Sequence, residues 1–314
     1  MTASGTHCFD MSDFKGVFPA IPTPIQADGS IHEEALRAIL EDNMSHGVHG
    51  FWLAGGSGEG PALSERQRDV MAHVAGETTS GRALAIMHVG AISTESAVKS
   101  ARSAAASDCA AISCVPPFFF RPNVRSIVDH YKAVADAADG LPLFAYNLPQ
   151  QTQVEFDPAL MDAVMAKVPS LKGLKHSAPD FAIIREWVDR DLTCFSGVSR
   201  LPLPALTMGA VGTIGAPPAL APWLYVDLFS AWEAGDLDRA RSLQMQVQKV
   251  VDLVVMHGAE AHAGKTILSE RLGIDCGSSI RPNNYLTPEE KEHLIKAAHL
   301  ADVIEAPTQV KITV

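Results

Sequence analysis

The chain alternates between short, continuous apolar runs and longer segments whose apolar residues recur every three or four positions. Runs without polar alternation are typical of strands that are buried on both faces, and spacings of three and four are typical of helices. Residues 50–54 illustrate the first pattern and residues 33–44 the second. We predict eight strands, at residues 16–21, 50–54, 83–89, 110–115, 142–146, 171–176, 193–196 and 212–215.

Helices are predicted between these strands and, beyond residue 221, without further strands. Ser64 with Gln67 forms a capping-box pattern at the start of one helix, and the sequence T-P-E-E from Thr287 is a strong start for another. The predicted helices cover residues 33–44, 65–78, 95–106, 124–138, 158–168 (capped by Asp157), 181–188, 203–208, 223–234, 237–256, 264–272 and 288–300.

This order of elements predicts an α/β protein, a TIM (β/α)8 barrel with a C-terminal helical extension. We expect a leader at residues 1–13, the barrel at 14–222 and the extension at 223–314, packed on the barrel and ending in a small apolar segment at 310–314. A doubly wound open sheet is the structural alternative. That fold usually carries G-x-G-x-x-G or G-x-x-x-x-G-K-[ST], and the chain has neither.

Composition narrows the possible partners. The 314 residues are 47% hydrophobic and 19% charged, which is typical of a globular protein with a sizeable core. A net charge of −11 without a basic run argues against binding to nucleic acid or to anionic membranes. Five scattered cysteines suit reduced thiols, and no apolar stretch reaches the roughly 18 residues of a membrane span. We therefore predict a cytoplasmic protein.

Lys175 is the first candidate for chemistry. It follows Gly173 at the carboxyl end of the predicted sixth strand, and barrel enzymes keep their catalytic residues at that end. Burial would lower the pKa of the amine, and the neutral amine could attack a ketone to form a Schiff base. The commoner alternative is a solvated lysine, because charged side chains are seldom buried.

Two further loops follow predicted strands on the same face. The glycine-rich residues 55–60 let backbone N–H groups converge on an anion, although a tight turn explains such a run equally well. Tyr146 begins the sequence Y-N-L-P after the fifth strand, where its alternative role is an ordinary core tyrosine. If the three loops act together, they combine an anion site, a phenol and an amine.

Taken together, these stretches resemble the dihydrodipicolinate synthase and N-acetylneuraminate lyase family of Schiff-base barrel enzymes. The resemblance covers nearly the whole chain. It rests on F-P-A-I-P-T-P at residues 18–24, the G-S-G-E turn at 56–59, Tyr-Asn-x-Pro at 146–149, Gly-x-Lys at 173–175, and V-D-L at 251–253 followed by Lys265-Thr266.

The resemblance implies specific roles. Lys175 would form the imine with pyruvate or another 2-oxo acid, and Tyr146 would be the general acid and base. The N–H groups of Gly56 and Ser57 would hold the carboxylate of the substrate. It further implies catalysis without a metal or cofactor, and a homotetramer.

Three positions depart from the family pattern and affect the expected proton relay and substrate. Gly56 and Phe119 stand where the best-known branches carry hydroxyl residues, so Ser57, Ser177, water or the substrate would have to complete the proton relay. Gln151 replaces an arginine of the synthase branch, which argues against lysine biosynthesis.

The seventh loop reads Gly197-Val198-Ser199-Arg200, where the lyase branch uses an acidic pair to hold sugar hydroxyls. Arg200 would suit a carboxylate, unless it is simply a surface arginine. Gly197 and Ser177 are expected to contact the substrate. We predict a class I lyase, either an aldolase releasing pyruvate or a dehydratase of a 2-keto-3-deoxy sugar acid. The alternative from another class is a sensor that binds a 2-oxo acid with little turnover.

Other motifs are weaker. His46 and His49 form H-x-x-H without a third ligand motif, and Ser57 lies in no G-x-S-x-G, so neither a metal site nor a hydrolase is favoured. The histidines at positions 88, 130, 176 and 257 are expected to be structural. His176 should point away from the side chain of Lys175 if the strand continues.

Overall fold

The computed structural model describes residues 10–304, in which eight parallel strands form a single sheet. Each strand pairs with its sequence neighbour from β2 to β8, and β8 then pairs with β1. The strands are β1 (Gly16–Pro19), β2 (Gly50–Leu53), β3 (Leu84–His88), β4 (Ala111–Cys114), β5 (Leu143–Asn147), β6 (Leu171–His176), β7 (Thr193–Ser196) and β8 (Gly212–Gly215).

The sheet closes almost completely on itself. Between β1 and β2 a single parallel bridge joins Ala20 to Trp52, and the N–H of His49 donates to the carbonyl of Val17 at 3.0 Å. The predicted α/β TIM barrel is therefore confirmed, and helices after the eighth strand are present. The open-sheet alternative was wrong, because the first and last strands are hydrogen-bonded neighbours.

The helices follow the strands in the predicted order. They are α1 (Glu33–Ser45), α2 (Glu65–Thr79), α3 (Thr94–Ala105), α4 (Val124–Ala137), α5 (Pro149–Thr152), α6 (Pro158–Met165), α7 (Ile183–Val188), α8 (Pro202–Thr207), α9 (Pro217–Leu220), α10 (Pro222–Glu233), α11 (Leu237–Val255), α12 (Glu260–Leu272) and α13 (Pro288–Leu300). Both predicted capping boxes form, at Ser64 with Gln67 and at Thr287 with Glu290. The single-turn helices α5 and α9 were missed because four residues cannot display a helical period.

Successive side chains of each strand point to opposite faces of the sheet, and each face contributes to a separate apolar layer. One face of the sheet packs against the surrounding helices, and the other fills the barrel interior with a separate cluster. The interior cluster consists of Phe14, Phe18, Ala20, Trp52, Leu84, Ile86, Ala110, Ala111, Val115, Phe144, Tyr146, Phe195 and Ile214. Residues two positions apart on one strand share a face, so the strand ends direct particular side chains into the barrel mouth.

The helices after β8 are tied to the barrel by polar contacts as well as apolar packing. Arg271 of α12 forms an ion pair with Asp42 of α1 and donates to the carbonyls of Ala219 and Leu220. The division into leader, barrel and extension at residues 13 and 222 stays a prediction. Residues 1–9 and the apolar end at 310–314 lie outside the described residues.

The structure also shows the membrane-spanning potential of the helices and the state of the cysteines. Within residues 10–304, no helix combines the length and apolarity that a membrane crossing requires. The four cysteines in the same part of the chain, Cys109, Cys114, Cys194 and Cys276, are buried free thiols.

Candidate active site

Lys175 lies near the carboxyl end of β6 and points into the barrel, where only 4% of its surface is exposed. Its Nζ stands 4.4 Å from the ring centroid of Tyr146 and 5.0 Å from that of Trp52. Burial lowers the pKa of the Lys175 amine to about 7, because the charged form loses its hydration. A large share of the amine is therefore neutral, and nucleophilic, near neutral pH.

Tyr146 is the cross-strand partner of Lys175 in the β5–β6 register. The Lys175 Nζ donates to the Tyr146 hydroxyl at 3.3 Å. Burial raises the pKa of Tyr146 to about 12, and the nearby Ser177 hydroxyl acts in the opposite direction. The phenol is thus protonated at neutral pH and can deliver a proton to a group bound beside the lysine.

Gly197 and Ser177 meet beside the lysine. A Cβ on Gly197 would lie 1.8 Å from the Ser177 Oγ and 2.9 Å from the Lys175 Cε, so only glycine fits. The Ser177 Oγ is buried, and its approach to Tyr146 falls short of full hydrogen-bond geometry, leaving it without a partner. Gly197 therefore supplies space, and Ser177 supplies an available hydroxyl next to the amine.

The glycine-rich turn after β2 presents backbone N–H groups to the same opening. Across residues 10–304, no acceptor contacts the N–H groups of Gly56 and Ser57. A Cβ on Gly56 would meet only the Tyr146 hydroxyl, at 3.9 Å, so this residue borders the phenol without crowding it. The turn therefore offers two unpaired N–H donors beside the phenol, and binding of an anion there stays a prediction.

Buried side chains fix this turn from behind. The Thr23 hydroxyl donates to the carbonyl of Gly58 at 2.6 Å, and Arg68 donates to the carbonyl of Gly60 at 2.6 Å. His88 Nδ1 lies 3.1 Å from the carbonyl oxygen of Ala54, a residue with a left-handed φ of 51°. The turn is therefore preorganised before any ligand binds.

Sequence reasoning missed Trp52, and it treated His88 as structural without placing it beside Tyr146. Trp52 forms part of the wall around Lys175, and the ring of His88 packs edge-to-face on Tyr146 at 5.7 Å. Burial lowers the pKa of His88 to about 3, so its ring is neutral. The signal was present, because His88 continues the inward series of Leu84 and Ile86 along β3.

Arg200 is not brought to this cluster. Its side chain is 46% exposed, and its guanidinium lies 3.7 Å from the carboxylate of Asp252 on α11. Its backbone carbonyl accepts from Gln244 of the same helix. A role in binding the far end of a substrate stays a prediction.

Neither of the two departures supplies a hydroxyl from its own side chain. Gly56 has no side chain, and Phe119 is 84% exposed with a left-handed φ of 74°. Gln151, the third departure, lies on the exposed side of α5. Among the predicted site residues, the side chain of Ser177 is therefore the hydroxyl that lies beside Lys175 and Tyr146.

Three other histidines have structural partners. His49 Nδ1 accepts from the N–H of Val17, and His130 contacts Thr94 at 2.9 Å. His176 points away from the barrel interior toward Asn147 and the carbonyl of Asp180. In the part of the chain that the structure describes, no three His, Cys, Asp or Glu side chains are grouped to hold a metal ion.

The chain is similar in sequence and in fold to known proteins. A model of the dihydrodipicolinate synthetase family matches residues 13–302. The N-acetylneuraminate lyase of Citrobacter koseri is 30% identical over 249 residues, which cover 78% of this chain and 83% of that protein.

Solved structures give the same picture. The catalytic lysine mutant of the Ruminococcus gnavus sialic acid aldolase superposes with a TM-score of 0.89 at 25% identity, covering 94% of this chain and 98% of that one. The Proteus mirabilis N-acetylneuraminate lyase gives a TM-score of 0.85 at 27% identity, covering 92% and 99%.

Proposed function

The chain belongs to the dihydrodipicolinate synthetase family, and from this premise we propose that it is a class I lyase acting on a 2-oxo acid through a Schiff base at Lys175. The observation that carries the proposal is the buried amine of Lys175, whose pKa is lowered to about 7 by burial and whose Nζ lies 3.3 Å from the Tyr146 hydroxyl. Nucleophile and proton donor are thus held in contact by neighbouring strands.

The first stage of the reaction follows from these two groups. The neutral Lys175 amine attacks the ketone carbon of the substrate, and the ketone oxygen becomes a hydroxyl. Tyr146 protonates that hydroxyl, which leaves as water and yields an iminium ion. The carboxylate of the substrate lies against the free N–H groups of Gly56 and Ser57, which fix its orientation.

The iminium then accepts an electron pair from the substrate. In an aldolase the pair comes from the C3–C4 bond, whose cleavage releases an aldehyde as the C4 hydroxyl loses its proton. In a dehydratase the pair comes from the C3–H bond, whose proton passes to the Tyr146 phenolate formed in the first stage; the enamine then expels the C4 hydroxyl, which takes a proton and leaves as water. We propose that Ser177 supplies the proton relay between Tyr146 and the substrate, because its free Oγ is beside both Lys175 and Gly197.

The substrate class is proposed as a 2-oxo acid with a polar or acidic distal part. The named relatives are lyases of N-acetylneuraminate, but the acidic pair that would hold sugar hydroxyls is absent from residues 198–199. Arg200, at the end of the same loop, is proposed to contact a distal carboxylate. Both the pyruvate-releasing aldolase and the keto-deoxy sugar acid dehydratase fit this description.

Reductive trapping tests the proposal directly. Incubation with pyruvate and borohydride should add the reduced pyruvyl group to Lys175, as located by peptide mass spectrometry. The Lys175→Met variant should give no adduct and is the control for labelling of surface lysines. Absence of the adduct from the wild-type protein would refute the proposed chemistry.

A second candidate is a sensor that binds a 2-oxo acid with little turnover. The absence of hydroxyl side chains at Gly56 and Phe119 favours it, since proton transfer would be impaired. An adduct at Lys175 without turnover of any acid in a panel of 4-hydroxy-2-oxo and 2-keto-3-deoxy acids would support the sensor. Turnover of any of them would exclude it.

We further propose a cytoplasmic homotetramer that needs neither metal nor cofactor, as the family resemblance implies. Phe119 and Phe120 are 84% and 64% exposed, and an apolar surface of this kind is often covered by another copy. Light scattering should give four times the mass of the chain, and a monomer would contradict this part of the proposal.

A further inference from the structure

Glu59 of the glycine-rich turn is held by α12 and by the segment that joins α12 to α13. Glu59 is only 3% exposed, and its Oε2 accepts from the Nζ of Lys265 in α12 at 2.6 Å. Its Oε1 accepts from the N–H of Ile280 at 2.6 Å and from the side-chain amide of Asn283 at 2.8 Å. All three donors lie more than 200 residues further along the chain.

Lys265 is also buried, and among residues 10–304 its ion-pair partner is Glu59. Its surface is fully covered, and besides Glu59 it donates to the carbonyl of Ser278 at 2.7 Å. Burial lowers the pKa of Lys265, whereas the adjacent Glu59 carboxylate raises it. Removal of Glu59 would leave the Lys265 amine buried without a carboxylate partner, which destabilises the fold.

Backbone hydrogen bonds at Glu59 and Gly60 connect the side-chain contacts of Glu59 to the N–H groups of Gly56 and Ser57. The Glu59 backbone has a left-handed φ of 55°, a conformation that disfavours side chains with a Cβ. In that conformation its N–H donates to the carbonyl of Gly56 at 3.0 Å, and the N–H of Gly60 donates to the carbonyl of Gly55 at 2.9 Å. The Glu59 contacts therefore set the orientation of the peptide units that precede Ser57.

The ion pair also controls the charge near the substrate. A bare carboxylate two residues from Ser57 would repel the carboxylate of a 2-oxo acid in this poorly hydrated region. Lys265 neutralises Glu59, so the turn presents N–H dipoles without a nearby net negative charge. In Glu59→Gln the Lys265 amine loses the carboxylate that raises its pKa, so burial favours its neutral form and the loss of turn geometry decides the effect of the variant.

We propose that Glu59 and Lys265 are positioning residues for carboxylate binding, so that the C-terminal helices form part of the substrate site although they contact no substrate. This inference rests on the proposed function, because it requires a 2-oxo acid to bind at Gly56 and Ser57. The two ideas make separable predictions.

The test compares binding with chemistry in the Glu59→Gln variant. Trapping of pyruvate on Lys175 is measured against pyruvate concentration, giving a half-saturating concentration and a limiting rate. The half-saturating concentration should rise about tenfold or more, which corresponds to about 1.4 kcal/mol, while the limiting rate should change less than about threefold. With pyruvamide, which lacks the carboxylate, the two proteins should have the same half-saturating concentration.

Asp42→Asn is the matched control. It breaks the other buried ion pair between α12 and the barrel, that of Arg271, whose side chain is 4% exposed. This variant should lose stability in a denaturant titration without any change in the half-saturating concentration of pyruvate. An equal shift in both variants would show that general loosening of the helices, and not Glu59, controls binding.

Asn283→Ala provides a milder test if Glu59→Gln does not fold, since it removes one donor to Glu59 and leaves the ion pair. It should shift the half-saturating concentration in the same direction by a smaller factor. If either variant folds, still forms the adduct and keeps the wild-type half-saturating concentration of pyruvate, the inference about Glu59 is wrong but the proposed function stands. Failure of the wild-type protein to form any adduct would instead overturn the proposed function.

Discussion

The environment of Lys175 has a direct consequence for its pH dependence. The amine is flanked by the rings of Tyr146 and Trp52, and burial alone lowers its pKa to about 7. Because only the neutral amine attacks a ketone, imine formation should rise with pH around a midpoint near 7. Trapping with cyanoborohydride at limiting pyruvate should be about tenfold slower at pH 6 than at pH 8.

Tyr146→Phe is the control for this experiment, because it retains the ring that covers the amine. Its midpoint should stay near that of the wild-type protein, while the rate falls by about 100-fold through loss of the proton donor. A wild-type midpoint close to 10 would contradict the burial of the amine. An unchanged rate in Tyr146→Phe would remove the phenol from the mechanism.

An added methyl group should slow adduct formation strongly at one glycine of the site and hardly at all at another. A Cβ on Gly197 would collide with Ser177 and Lys175, whereas one on Gly56 would meet only the Tyr146 hydroxyl at 3.9 Å. Gly197→Ala should slow adduct formation by about 100-fold, since small displacements of a nucleophile have effects of that size. The rate of adduct formation in Gly56→Ala should stay within about twofold of the wild-type rate. Similar losses of rate in the two variants would contradict the difference in free space around the two glycines.

At the scale of elements, the strands and helices were largely predictable, whereas the site was only partly so. Strands β6, β7 and β8 begin and end as predicted, because apolar runs bounded by polar or glycine residues have few alternatives. That Lys175 and Tyr146 lie together could be expected from their places at neighbouring strand ends, whereas their catalytic roles came from the family resemblance and stay predictions. The pairing of Glu59 with Lys265 could not, because nothing local relates two charges 206 positions apart.

The loop after β7 supports a prediction about specificity. Arg200 is 46% exposed and lies 3.7 Å from Asp252 of α11, so it is available to a substrate at modest cost. Arg200→Ala should raise KM about tenfold for 4-hydroxy-2-oxo acids with a distal carboxylate, and leave KM for monoacids unchanged. Asp252→Asn, which frees the guanidinium, should lower KM for the diacids. Equal effects on both substrate classes would contradict the assignment.

At the scale of the whole molecule, the reactive lysine should cost stability. A lysine with a folded pKa of about 7 and an unfolded pKa near 10.5 destabilises the fold most below pH 7, and the penalty fades as the pH rises toward 10.5. Lys175→Met should therefore raise the free energy of unfolding at pH 7 by about 1–4 kcal/mol. Urea titrations should show this gain falling to about a third near pH 9.5. A variant less stable than wild type at pH 7 would contradict it.

The buried contacts of Glu59 also impose an order on biosynthesis. A ribosome releases residue 59 long before residues 265, 280 and 283, the three that complete its hydrogen bonds. Until residue 283 has emerged, the turn at Gly56 and Ser57 lacks part of its anchor, even if all eight strands have paired. Under the proposed function, a nascent barrel would thus carry Lys175 before it has an oriented site for the substrate carboxylate.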